Sequence, residues 1–209
     1  YRRSFKIQRN IFEFSTTYYI STTGVDDAGR NGGIGQEWAT LSYACTRVTT
    51  PGDTIMVGVG TFTETAQSVL AVGVSIVGAG ETSIIKAGAA LDPIILLSSA
   101  SEGTDGNQSI SYIHIDGNNT AVIGINIIGR GNVKTHNCTF RDFTDNGLRY
   151  TGKTASGARA PTTHATGNEV YNCSFYDCGN EVFSSPYYFA SPALSIGGQA
   201  GILIHNNYF

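Results

Sequence analysis

Four segments of the 209-residue chain align without gaps at their cores: ISYIHIDGN (110–118), VKTHNCTFRDF (133–143), EVYNCSFYDC (169–178) and ILIHNNYF (202–209). Phe140 precedes Phe175 by 35 residues, and Phe175 precedes Phe209 by 34. Between these cores lie shorter strand-like pieces, VIGINIIG (122–129), GLRYTG (147–152) and ALSIGG (193–198), punctuated by Gly, Asn and Asp. A repeat built from a few short strands cannot bury its own apolar face, whereas stacked repeats share one continuous core. Stacking is expected to turn Ile113, Ile115, Cys138, Phe140, Cys173, Phe175, Leu203 and Phe209 into interior columns. The expected fold class is all-β, a parallel β-helix or solenoid.

Composition agrees. Charged residues make up 14% of the chain, against about 25% in ordinary soluble domains, so a helical bundle is disfavoured. The 26 glycines are close to twice the usual ~7%, as many tight turns require. A hydrophobic fraction of 41% is enough to bury a core and excludes disorder. The formal net charge of -3 offers no basic face for nucleic acid, which binds by displacing counterions. No run of 18 apolar residues marks a membrane span. Cys45, Cys138, Cys173 and Cys178 lack the paired spacing of zinc sites and are too few for a disulfide scaffold. Cys138 and Cys173 fall in one column and are read as free buried thiols rather than a disulfide.

Upstream of the repeats, residues 1–17 hold four basic residues in YRRSFKIQR followed by IFEF. They read as an arm, either a linker or an attachment segment docking through Phe5, Ile7, Ile11, Phe12 and Phe14. From Tyr18 the pattern changes. Trp38, Leu41, Cys45 and Val48 recur at helical spacing and predict a short helix within about 37–50, ended by Pro51 and Gly52. The residues YYISTTGVDD, WATLSYACTRV, PGDTIMVGVGTFTET and GVSIVGAG, within 18–88, resemble the opening of right-handed parallel β-helix proteins of the pectate-lyase-like superfamily. The chain is closest in character to phage tailspikes and surface fibres. The resemblance implies a right-handed β-helix over 18–209 with a helix capping its N-terminal end. It implies no single activity, because that superfamily holds lyases, glycoside hydrolases, esterases, tailspikes and non-catalytic surface proteins. The start at Tyr1 and the stop at Phe209, inside a strand-like segment, suggest a processed or truncated chain with an open C-terminal end.

In such a stack, equivalent residues of successive coils lie about 4.8 Å apart, so the repeat alignment predicts contacts. Asn137, Asn172 and Asn206 form a ladder suited to the left-handed backbone of a sharp turn. His136, Tyr171 and His205 form a row of rings just before it, read either as a glycan-stacking surface or as a packing ladder. Asp142 falls over Asp177, with Arg141 over Tyr176. Two carboxylates about 5 Å apart could bind Ca²⁺, could act as the pair of a retaining glycosidase, or could cap turn N–H groups in water; the last is favoured. A polysaccharide lyase would instead need a basic residue as proton acceptor. Lys134, Arg141, Arg149 and Lys153 are candidates expected to cluster across one coil, although no lyase signature surrounds them.

Two long excursions, 154–167 and 180–191, interrupt the repeats. The second carries Phe183, Tyr187, Tyr188 and Phe189, and such aromatics favour a glycan or a subunit interface, or fold back onto the stack. The sequence therefore leads to a structural or receptor-binding protein of an extracellular, cell-surface or virion setting. The expected partner is a polysaccharide or cell-surface glycan. The glycan-contact candidates are His136, Tyr171, His205, Tyr176, Tyr187 and Tyr188. Ca²⁺ is the one cofactor considered, with Asp142 and Asp177 as ligands. A homo-oligomer or larger assembly would form through residues 1–17 and the open C-terminal end. The alternative is a polysaccharide lyase or glycoside hydrolase using Asp142, Asp177, Arg149 or Lys153.

Overall fold

The computed structural model describes residues 15–152, 164–179 and 192–209. The first part of the chain forms β1 (Thr17–Ile20), α1 (Leu41–Arg47), β2 (Thr54–Val57), β3 (Gly60–Glu64), β4 (Ser68–Val69), β5 (Ser75–Val77) and β6 (Ser83–Ala87). Next come β7 (Ile95–Ser98), β8 (Thr104–Ser111), β9 (His114–Asp116), β10 (Ile125–Ile128), β11 (Arg130–His136), β12 (Thr139–Phe143) and β13 (Leu148–Thr151). The last are β14 (Ala165–Thr166), β15 (Glu169–Tyr171), β16 (Ser174–Cys178), β17 (Leu194–Ile196), β18 (Gln199–Ala200) and β19 (Leu203–His205).

Sheet 1 has the order β1-β2-β5-β8-β11-β15-β19, sheet 2 the order β3-β6-β9-β12-β16, and sheet 3 the order β4-β7-β10-β13-β17, with β14 and β18 forming a fourth. The pairings described within these sheets are parallel. Strand direction thus agrees with the reading from the repeats, but the single solenoid does not. The strands divide into separate sheets of seven, five, five and two. The residues between sheets explain the division. Asn137 and Asn172 sit between sheet 1 and sheet 2 strands at φ 52 and 52, and a left-handed residue turns its backbone groups out of the ladder.

Side-chain alternation decides which face each strand buries. In sheet 1 the inward column is Ile55, Ile76, Ile110, Thr135 and Val170, continued in register by Ile204, which is exposed on the last rung. In sheet 2 it is Phe62, Ile85, Ile115, Phe140 and Phe175. The Phe140 and Phe175 rings stack at 4.9 Å, and Phe209 continues the row at 5.0 Å. Two expected interior residues are corrected. Leu203 pairs with Glu169 on the outward register and is 55% exposed, and Phe209 is 64% exposed because no further rung covers it among the described residues.

The helix is shorter than the 37–50 expected. Trp38 is held by a bridge to Ile20 and stacks on Tyr18 at 5.8 Å, so it belongs to the core before the helix starts. Thr40 caps Tyr43 N–H, and Asp26 accepts from Thr40 Oγ1 at 2.6 Å. Glu64, buried at the end of β3, accepts from Leu41 N–H at 2.7 Å and Ser42 N–H at 3.0 Å. These bonds satisfy donors that a helix start leaves free. All four cysteines are free thiols. Among the described residues no helix is long and apolar enough to cross a membrane.

Candidate functional site

The outward face of sheet 1 gathers most of the polar and aromatic side chains that the repeats put in register. On β11 the outward residues are Lys134 and His136, on β15 Glu169 and Tyr171, and on β19 Leu203 and His205. A concavity of about 340 Å³ lies at the upstream end of these strands, lined by Ser75, Asn107, Gln108, Ser109, Asn132, Lys134 and Gly167. It owes its shape to an irregularity. The β8–β11 register shifts between Gly131 and Val133, and Asn107 and Asn132 take left-handed backbone at φ 46 and 50. Such a bulge re-aims side chains. Asn132 Nδ2 donates to Asp105 Oδ1 at 2.6 Å. Gly167, at φ +70, lies so close that any Cβ there would run into the Asn132 amide.

Beside the concavity the three rings form one stack. His136 and Tyr171 lie 4.7 Å apart and 1° from parallel, and Tyr171 and His205 lie 5.1 Å apart and 4° from parallel. The faces of Tyr171 are therefore covered by its neighbours, and the row presents ring edges. A glycan along it would meet edge N–H and O–H groups, with a free face only at the His205 end. Asn137 Nδ2 lies 2.9 Å from His136 Nδ1. The amide can only donate, which leaves the imidazole proton on Nε2. Burial holds the His136 imidazole below its ordinary range, and Lys134 adds to the effect. Glu169 Oε2 is 3.2 Å from Lys134 Nζ, and its Oε1 is 3.1 Å from His205 Nε2. The hydrogen bond from His205, then that from Lys134, holds the Glu169 carboxyl below its usual range. The surface is therefore balanced in charge and dense in hydroxyl and amide groups.

The remaining candidates disperse. Lys134 is on sheet 1, Arg141 on sheet 2 and Arg149 on sheet 3, which corrects the expected basic cluster. Each has an acidic partner: Arg141 Nε is 3.1 Å from Asp142, and Arg149 Nη2 is 2.6 Å from Asp145. Arg149 Nε also donates to Asn146 Oδ1 at 2.8 Å. Asp142 and Asp177 take φ 58 and 48, the left-handed conformation that Asp tolerates. Arg141 occupies one Asp142 oxygen, and among the described residues no group of three His, Cys, Asp or Glu forms. This donor set does not fit Ca²⁺, which takes six to eight oxygens. Tyr176 is exposed on sheet 2, opposite Arg141, with its ring 5.6 Å from Tyr208. Lys153, Tyr187 and Tyr188 lie outside the described residues, as do residues 1–14 of the arm and 180–191.

Ser75, Asn107, Ser109 and Asn132 were not legible as site residues, because polar side chains in turns carry no distinctive spacing. Tyr112 was. It stands in the first repeat where the later ones carry Asn137, Asn172 and Asn206. A second omission is Arg130, 2% exposed. Its guanidinium donates to Ser99 Oγ, the carbonyls of Leu70, Ala71 and Ser98, and Gln108 Oε1. Burial alone pushes it down to about 10.

No protein-family model matches the chain, and comparison with curated proteins gives no match. A solved structure, ORF18 of Geobacillus virus E2, is similar with a TM-score of 0.53 at 12% identity, over 89% of this chain and 49% of that one. The likeness is one of fold. The chain spans about half the length of that protein.

Proposed function

We propose that this chain is a structural, receptor-binding protein of an extracellular or virion surface, tailspike- or fibre-like in role, and that the outward face of sheet 1 contacts glycan. The observation that carries the reading is the concavity lined by Ser75, Asn107, Ser109 and Asn132 beside the edge-on stack of His136, Tyr171 and His205. Hydroxyl and amide groups next to aromatic rings match the alternating polar and apolar surfaces of a sugar. The viral source of the structural neighbour supports the virion setting.

Lys134, Arg141 and Arg149 lie on three different sheets and each is paired with an acid, so among the described residues these three cations offer no unpaired base on the sheet 1 face. The reading therefore favours binding over cleavage. A glycan array, followed by incubation of any ligand with the protein, tests it. Binding is expected without new reducing ends and without the ultraviolet absorbance of an unsaturated uronate. Asn132→Ala with Ser109→Ala should weaken binding. Cleavage would establish a hydrolase or lyase instead, and an array without a ligand would remove the glycan from the proposal. We further propose that the exposed Ile196, Leu203, Ile204, Tyr208 and Phe209 meet a second subunit, since apolar patches of this kind mark interaction sites.

A further inference from the structure

Among the non-glycine residues that hold positive φ in the described chain, every one but Tyr112 is Asn or Asp. Asn and Asp reach this conformation because a short polar side chain can bond locally, whereas a bulky residue is strained there. Tyr112, at φ 54, stands at the turn position that the following repeats fill with Asn137, Asn172 and Asn206. Asparagine would serve the backbone better at this corner, so the turn itself does not account for the ring.

Packing does not account for it either. Tyr112 is 47% exposed, and among the described residues its hydroxyl has no hydrogen-bond partner. Among the described residues its one ring neighbour is His136, at 5.8 Å and 83°. That angle sets it apart from His136, Tyr171 and His205, which cover one another within 4° of parallel. Tyr112 stands nearly perpendicular to His136 and is not stacked in parallel with their row. It also stands at the corner just past the end of β8, three residues after Ser109 of the concavity lining, roughly 10 Å along the chain. A strained, exposed residue that adds little to the core and follows a lining residue of a polar cavity by three positions is the kind of outlier from which function is properly inferred.

We infer that Tyr112 is the stacking platform for one residue of an oligosaccharide whose other residues occupy the concavity at Ser109 and Lys134. The inference rests on the proposal that this face binds glycan, and it adds the ligand class. Lys134 is neutralised by Glu169 at 3.2 Å, and Ser75, Asn107, Gln108, Ser109 and Asn132 are uncharged, so the face suits a neutral, hydroxyl-rich oligosaccharide over a polyuronate.

Calorimetric titration of the full chain with maltohexaose, cellohexaose and chitohexaose, and with a hexagalacturonate for comparison, tests this together with thermal melting. The wild type is expected to bind at least one neutral hexasaccharide more tightly than the uronate. Tyr112→Phe should keep that affinity within about twofold, whereas Tyr112→Asn should lose at least about tenfold while melting at or above the wild type. Affinity retained in Tyr112→Asn overturns the platform. A lower melting temperature in that variant overturns it too, because the ring would then be kept for packing. Preference for the uronate overturns the ligand class. A wild type that binds none of the four overturns the glycan reading itself, and the inference with it.

Discussion

Arg130 shows how a buried charge is tolerated among neutral acceptors. Five neutral acceptors surround it, three of them backbone carbonyls. Arg130→Met keeps the volume but removes the guanidinium donor from the Leu70 and Ser98 carbonyls, while Ala71 O and Gln108 Oε1 keep other donors. Each buried unsatisfied acceptor costs about 1–3 kcal/mol. Urea unfolding should show a loss of about 3 kcal/mol or more. The stacked rings make a different residue-scale prediction. His136 is held below its ordinary value of 6.5 by burial, so the unfolded chain binds the proton more readily. Stability must then fall as pH drops below about 6.5. Glu169 is held below 4.5; its contribution is present above that value and is lost as pH falls through the lower, folded one. Unfolding midpoints from pH 8 to 3 should decline in two stages, and His136→Gln should remove the upper one.

At the scale of elements, the parallel strands are held by columns whose worth depends on position in the row. Phe175 lies between Phe140 and Phe209 at 4.9 and 5.0 Å and is buried, whereas Phe209 has one neighbour and is mostly exposed. Phe175→Ala should cost about 3–5 kcal/mol, the usual price of an aromatic core truncation. Phe209→Ala should cost well under half as much, read from the same denaturation curves. The short helix depends on a partner from elsewhere in the chain. Glu64 on β3 accepts from two N–H groups of its first turn, and Glu64→Ala should cost about 1–2 kcal/mol through lost capping. Far-UV dichroism and melting together would show it.

At the largest scale the first and last strands of the described sheets differ. α1 packs against β1, β3 and β4 at one end, and its Leu41, Ala44 and Cys45 are buried. At the other, β19, β17 and β16 are edge strands among exposed Leu203, Ile204, Ile196, Tyr208 and Phe209. Exposed parallel edges invite association. Sedimentation should therefore show self-association that Leu203→Asp with Ile204→Asp reduces, while a monomeric wild type would remove the proposed subunit contact.

The repeats determined much by themselves. Residues about 35 apart became neighbours, so the strand direction, the pairing of Phe140 with Phe175, the ring row from His136 to His205 and the left-handed asparagines were legible from spacing alone. Spacing says less about parity, since a one-residue slip exchanges the two faces of a strand, and Leu203 was placed inside where Ile204 belongs. Only the tertiary structure decided the division into separate sheets, the scattering of Lys134, Arg141 and Arg149, the burial of Arg130 and the concavity at Asn132. The physical reason is common to all four. Each depends on left-handed corners and one bulge that aim side chains from different strands, and a linear repeat records which residues stack without recording where those corners point them.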